Sequence, residues 1–208
     1  MDRAAITVRA DAFDAAYRRA GAHPPSWTEL DPTTSIGLIG RLGVDLDCAV
    51  ADVGGGDGTL AWHLLALGHT DVLVVDLSEA ALALAAARLG ADPRVTLVCA
   101  EATAWTAPRP LGCWHDRACL HFLTADADRR AYFERLRASV APRGAVVLGC
   151  FALTGPSHCS GLEVRRSDAE GLAAELGGGF EVVESLEATH VTPSGAAQRF
   201  AWLAARAP

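Results

Sequence analysis

The stretch Ala49–Asp76 narrows the folds open to this chain more than any other. A short apolar strand reaches Asp52, and the glycine-dense turn Val53-Gly54-Gly55-Gly56-Asp57-Gly58 follows. An amphipathic run then leads into a second apolar strand, Val72-Leu73-Val74-Val75, ending at Asp76. Strand, turn, helix and strand in that order read as a βαβ unit. Glycines at the turn tolerate positive φ and leave no Cβ in the way, so the backbone can approach a ligand closely. Asp76 stands where a carboxylate can accept hydrogen bonds from both hydroxyls of a ribose. The unit is built to hold a nucleoside.

Glycine spacing decides which nucleoside. A dinucleotide fingerprint needs G-x-G-x-x-G, but the position that should carry its last glycine, counted from Gly54, is Thr59, and counted from Gly55 the third position is Asp57. This count argues against a nicotinamide-linked oxidoreductase. The spacing present, Asp52-x-Gly54-x-Gly56-x-Gly58, resembles the first motif of class I S-adenosylmethionine-dependent methyltransferases. The alternative is a glycine-rich turn without a ligand.

Composition bounds the rest. A chain of 208 residues suits one domain with one core. We expect an N-terminal helical lid over residues 1–43 and a Rossmann-like core over residues 44–208. No apolar run approaches the ~18 residues of a membrane span, and the charged start lacks a signal peptide's apolar centre. The expected setting is cytoplasmic, with no membrane partner. All 18 basic residues are arginine, which excludes a Walker lysine and Schiff-base chemistry. The formal charge of −7 argues against a nucleic-acid partner, and Arg129, Arg130, Arg135 and Arg137 read as a solvated, salt-bridged helix face. Six cysteines without a C-x-x-C pair predict reduced thiols and no metal site.

In chain order, residues 9–20 predict a first helix with Phe13 and Tyr17 on one face, broken at Gly21 to Pro25. Asp31 or Thr33 can cap a second helix running to about Leu42. Trp27, in the loop before it, is either a lid over a bound cofactor or a hydrophobic staple. Helices are expected from Thr59 to Ala66, from Glu79 to Leu89 behind a Ser78 cap, from Ala125 to Val140, and up to Leu176 behind a Ser167-Asp168-Ala169-Glu170 capping box. Strands are expected at Arg94–Ala100, Leu111–Trp114 and Ala145–Phe151, the last after a Pro142-Arg143-Gly144 turn. Phe180–Thr189 and Gln198–Ala205 should form an antiparallel pair at the sheet edge. The polar loop Thr154–Leu162 can fold over a substrate.

Trp114-His115-Asp116-Arg117-Ala118-Cys119-Leu120-His121 is the second informative stretch. Ligands of open α/β sheets bind outside the carboxyl ends of the strands, at the switch point that strands one and four flank. His115, Asp116 and His121 are therefore candidate catalytic groups, and Arg117 and His158 candidate substrate ligands. The bland alternative is a structural Asp116–Arg117 ion pair with His121 merely packed.

The resemblance extends from Phe13 to Ala205 and is nearest to small bacterial methyltransferases sharing Trp27, Asp76-Leu77-Ser78, Trp-His-Asp-Arg-Ala and Asp-Ala-Glu-Gly-Leu. The chain departs from them at Gly112, where an acid is common. The resemblance implies an α/β fold, a Rossmann-like seven-stranded sheet with only the last strand antiparallel and helices on both faces. It implies S-adenosyl-L-methionine as cofactor. Asp52 would order the glycine turn, and Gly54, Gly55, Gly56 and Gly58 would admit the cofactor. Asp76 and Leu77 would take the ribose, Glu101 and Ala102 the adenine, with Trp27 and His115 beside them. The expected reaction is methyl transfer to an N, O or S nucleophile of a small molecule. Rival readings are a protein lysine or terminal-amine methyltransferase and a non-catalytic cofactor-binding protein.

Overall fold

A computed structural model describes residues 3–19, 24–177 and 179–208. In order come α1 (Arg3–Arg18), α2 (Thr33–Arg41), β1 (Val50–Val53), α3 (Thr59–Ala66), β2 (Val72–Asp76), α4 (Glu79–Leu89), β3 (Val95–Cys99) and β4 (Leu111–Arg117). A 3₁₀ turn (Leu120–Phe122) leads to α5 (Asp126–Ser139) and β5 (Val140–Phe151). The short strands β6 (His158–Cys159) and β7 (Leu162–Glu163), then α6 (Ala169–Leu176), β8 (Glu181–Val191) and β9 (Ala197–Arg206), complete the described elements. Seven strands form one sheet in the order β3-β2-β1-β4-β5-β9-β8. The pairs among β1 to β5 are parallel, and β9 runs antiparallel to both β5 and β8.

The central strands β1 and β2 are buried at every position, as expected of parallel strands covered by helices on both faces. Side chains alternate between two cores. Val50, Val72, Val74, Cys113 and Val147 pack with α2, α3 and α4, while Ala51, Leu73, Val75, Trp114 and Leu148 pack with α5 and α6. This period of two also fixes which side of β4 each polar residue can serve.

The boundaries differ from the pattern-based expectation where a neighbour dictates them. β4 continues past Trp114 because His115 and Asp116 are paired on both flanks, with Asp52 and Val53 of β1 and with Val147 and Leu148 of β5, and Arg117 pairs with Gly149 of β5. The Pro142-Arg143-Gly144 turn is instead a bulge inside β5: Leu111 pairs with Val140, Cys113 already with Ala145, and Arg143 has φ 62°. Neither Asp31 nor Thr33 caps α2, whose N-cap position is Pro32 with no side-chain hydrogen bond. The α6 cap is Asp168, which accepts from Gly171 N, so Ser167 does not begin a capping box. Ser78 caps α4 as expected, accepting from Ala81 N at 3.1 Å.

Helix α1 starts six residues before the expected Arg9, and residues 20–23, where it was expected to end and break, lie outside the described residues. Expected as part of the lid, α2 buries Leu38 and Ile39 in the core. No helix among the described residues is long and apolar enough to cross a membrane.

Candidate active site

At the carboxyl ends of β1, β2 and β4 the sheet opens into a cavity that, together with the open space at its mouth, spans about 1110 Å³. Its floor is the glycine turn. Gly54 and Gly56 have φ of 73° and 57°, in the left-handed region that favours glycine. A Cβ on Gly54 would lie 2.5 Å from Cys119 Cβ, and one on Gly56 would lie 2.3 Å from Tyr17 Oη. Gly55 also lines the cavity, whereas Gly58 lies behind it, packed on Ala85 and Leu89 as α3 begins.

Asp76 ends β2 with its carboxylate in the cavity, accepting from Gly56 N at 2.9 Å and Ser78 N at 2.8 Å. Burial pushes its pKa up to about 6 against those two bonds. Leu77, Glu101 and Ala102 line the cavity beyond it. Glu101 is engaged by Arg9 of α1 at 3.3 Å.

On the side of β1 and β4 that faces α2, the parallel register sets Asp52 beside His115. Asp52 Oδ1 lies 2.8 Å from His115 Nδ1, and His115 Nε2 lies 2.9 Å from Ser35 Oγ on α2. All three line the cavity and are nearly or fully buried. Asp52 thus positions a histidine, while its Oδ2 lies where a Cβ on Gly55 would come within 2.8 Å.

Asp116 sits one residue on and points to the opposite face. It accepts from Cys119 N at 2.9 Å, Leu120 N at 3.1 Å and Tyr132 Oη at 2.6 Å, fastening the turn after β4. It is fully buried and does not line the cavity. Burial raises its pKa to about 6. His121 is also outside the cavity, packed among Phe122, Phe151 and Phe200, with Nδ1 accepting from Phe151 N at 3.4 Å. Burial, with Arg117 and Arg129 nearby, lowers its pKa to about 3, so the ring is neutral. Of the three candidate catalytic groups, only His115 reaches the cavity. His158 is exposed beside Ser157 and lies outside it, as does the whole loop 154–162.

Arg117 lines the cavity on the same face as His115. Its Nε meets Glu29 Oε2 at 3.1 Å, and Nη1 donates to Trp27 O at 2.9 Å. Trp27 belongs to the cavity wall: its Nε1 donates to Tyr17 Oη at 3.0 Å, and its ring meets Phe13 and Phe122 edge-on. Sequence reasoning missed Arg9, Tyr17, Glu29 and Ser35 as site residues. The four-residue spacing of Arg9, Phe13 and Tyr17 was the available signal, since it sets all three on one face of α1. Among the described residues no group of three or more His, Cys, Asp or Glu side chains could hold a metal ion.

Comparison with known proteins agrees with this geometry. The family described as "Methyltransferase domain" matches residues 50–144. No curated protein matches significantly. The fold is similar to a Burkholderia thailandensis 1,6-didemethyltoxoflavin-N1-methyltransferase solved with 1,6-didemethyltoxoflavin and S-adenosylhomocysteine, at 26% identity and TM-score 0.73, covering 98% of this chain and 88% of that one. It is also similar to an S-adenosylmethionine-dependent methyltransferase of Anabaena variabilis (16% identity, TM-score 0.75, 96% and 95% covered). A third similar structure is the N-methyltransferase NodS of Bradyrhizobium japonicum (14% identity, TM-score 0.71, 95% and 100% covered). The chain is a methyltransferase by the domain that its residues 50–144 match.

Proposed function

We propose that the chain transfers the methyl group of S-adenosylmethionine to an N, O or S nucleophile of a small molecule, and that it groups with the small bacterial enzymes sharing its Trp114-His115-Asp116-Arg117-Ala118 motif. One observation carries the reading: Asp76 and a glycine turn without side chains open onto the same cavity, next to a buried histidine. The donor set fits such a cofactor. A Cβ-free floor admits its amino-acid part and sugar, Asp76 has the acceptor capacity for ribose hydroxyls, and Glu101 with Ala102 flanks the place for adenine. The bound cofactor supplies an already activated sulfonium methyl, so the protein's work is orientation and exclusion of water, worth as much as ~7–11 kcal/mol.

Phe13, Tyr17 and Trp27 line the cavity, and their aromatic surface favours the exclusion of water once cofactor and acceptor are bound. Where the nucleophile arrives protonated, Ser35 Oγ receives its proton and passes its own to His115 Nε2. Asp52 accepts from His115 Nδ1–H, which fixes the tautomer and stabilises the imidazolium. His115 and Ser35 are the catalytic residues in this scheme, and Asp52 is the positioning residue. Asp116 and His121 hold the turn behind them. A small-molecule acceptor suits a concave site with aromatic walls and a few polar groups. A cytoplasmic setting belongs to the same proposal, since all six cysteines are unpaired thiols.

Calorimetric titration with S-adenosylhomocysteine tests the reading. Wild-type protein should bind, and Asp76→Ala should bind at least tenfold more weakly, about 1.4 kcal/mol or more. Equal affinity in the two proteins removes Asp76 from the site, and no binding to wild type removes the proposal. Ser35→Ala should lower kcat by about a hundredfold and leave cofactor affinity unchanged.

A further inference from the structure

The charged side chains that line the cavity are engaged within the chain. Asp76 is held by two backbone N–H groups, Asp52 by His115, His115 also by Ser35, Glu101 by Arg9, and Asp57 by Arg88. Arg117 is different. Its Nε and Nη1 are occupied by Glu29 and Trp27 O, and its Cζ lies 5.2 Å from the centre of the Phe200 ring. Its Nη2 is buried and has no hydrogen-bond partner among the described residues. A buried donor without a partner is unfavourable in the free protein and becomes favourable once a ligand supplies the acceptor.

The cavity wall near this guanidinium is aromatic. Phe122 contacts Phe13 at 4.9 Å and Trp27 at 6.4 Å between ring centres, both edge-to-face, and all three rings line the cavity with Arg117. Edge-to-face packing holds these rings rigidly and gives a flat guest faces and edges to pack on. A guanidinium carrying a spare N–H selects an oxygen with negative charge or strong acceptor character.

We propose that the methyl acceptor is a small aromatic or heteroaromatic molecule carrying an anionic oxygen of the carboxylate or phenolate class. The oxygen accepts from Arg117 Nη2, and the ring packs against Phe13, Trp27 and Phe122. This deepens the methyl-transfer reading and rests on it for the reaction, though not for the binding site itself. Glu29 is the counter-charge that tunes the site: at 3.1 Å from Arg117 it offsets part of the cation's pull on the ligand.

The test titrates three probes, benzoate, benzyl alcohol and cyclohexanecarboxylate, into the full chain saturated with S-adenosylhomocysteine, read by calorimetry or ligand-observed NMR. Benzoate should bind at least tenfold more tightly than either of the other two. Arg117→Gln should weaken benzoate at least tenfold, while S-adenosylhomocysteine affinity stays within twofold. Glu29→Gln should strengthen benzoate, a change that loss of folding cannot imitate, so the proposal remains testable if Arg117→Gln does not fold. Failure of benzoate to bind, unchanged benzoate affinity in Arg117→Gln, or unchanged or weaker affinity in Glu29→Gln overturns the anionic anchor. Equal binding of cyclohexanecarboxylate and benzoate overturns the aromatic clause. Should wild type not bind S-adenosylhomocysteine, the methyl-transfer reading fails, and benzoate titrated into the free protein still decides the Arg117 site.

Discussion

Two single side chains show how burial sets chemistry here. Asp76 and Asp116 end up at about the same raised pKa, near 6, for the same reason, desolvation only partly offset by N–H and O–H donors. Their uses differ because one opens onto the cavity and the other closes a turn. Affinity for S-adenosylhomocysteine should rise with pH up to about 6 and then level off, since the ionised Asp76 is the better acceptor for ribose hydroxyls. In Asp76→Asn that pH dependence should vanish, which titrations between pH 5 and 8 would check. For Asp116 the readout is stability. An unfolded aspartate titrates near ~3.9, so between about pH 4 and 6 the folded state holds a proton the unfolded state has released, and stability falls as pH rises through that window. Relative to wild type, Asp116→Asn should gain on the order of 2–3 kcal/mol from pH 4 to pH 6 in denaturant unfolding. At the turn, Gly56→Ala meets two obstacles at once, a positive φ and Tyr17 Oη 2.3 Å from the new Cβ. It should lose cofactor binding in a calorimetric titration.

Among the elements, α1 is tied to the sheet by a small number of polar contacts. Asp14 accepts from Ser78 Oγ at 2.6 Å and from Ala80 N at 3.1 Å, so one carboxylate clips α1 to the N-terminus of α4. The Ser78 hydrogen bond holds Asp14 below the usual carboxylate range. Asp14→Ala should release α1, speed limited proteolysis within residues 3–19, and weaken S-adenosylhomocysteine several-fold, with little change in the unfolding midpoint of the sheet. The sequence carried the helices α3 and α4 and the strands β1, β2 and β3 almost to the residue, because glycine, serine cap and apolar run are local signals. It placed the end of β4 too early because polar residues in a strand are recognisable as strand only once both neighbouring strands are known. The reason for a glycine at Gly112 is likewise non-local: a Cβ there would lie 2.4 Å from Cys48 Cβ.

Across the whole molecule, stability resides in the double-faced sheet, and the cavity is what remains where β1 and β4 part above it. Leu148 is fully buried in β5 and belongs to the core that packs on α5 and α6. Leu148→Ala should cost about 2–5 kcal/mol in urea unfolding without altering the site's geometry. The Asp52-x-Gly54-x-Gly56-x-Gly58 spacing and the acid at Asp76 marked a βαβ unit suited to a nucleoside, and the family resemblance that those residues help to carry implied the sheet and the cofactor class. These depend on backbone conformation and strand period, which neighbouring residues impose. What could not be read was which of His115, Asp116 and His121 faces the cavity. Ser35 and Glu29 as its walls and the unpaired nitrogen of Arg117 were equally hidden. Those facts depend on which face of β4 meets α2 and on where α1 comes to rest, and such long-range packing leaves no trace in the order of residues along the chain.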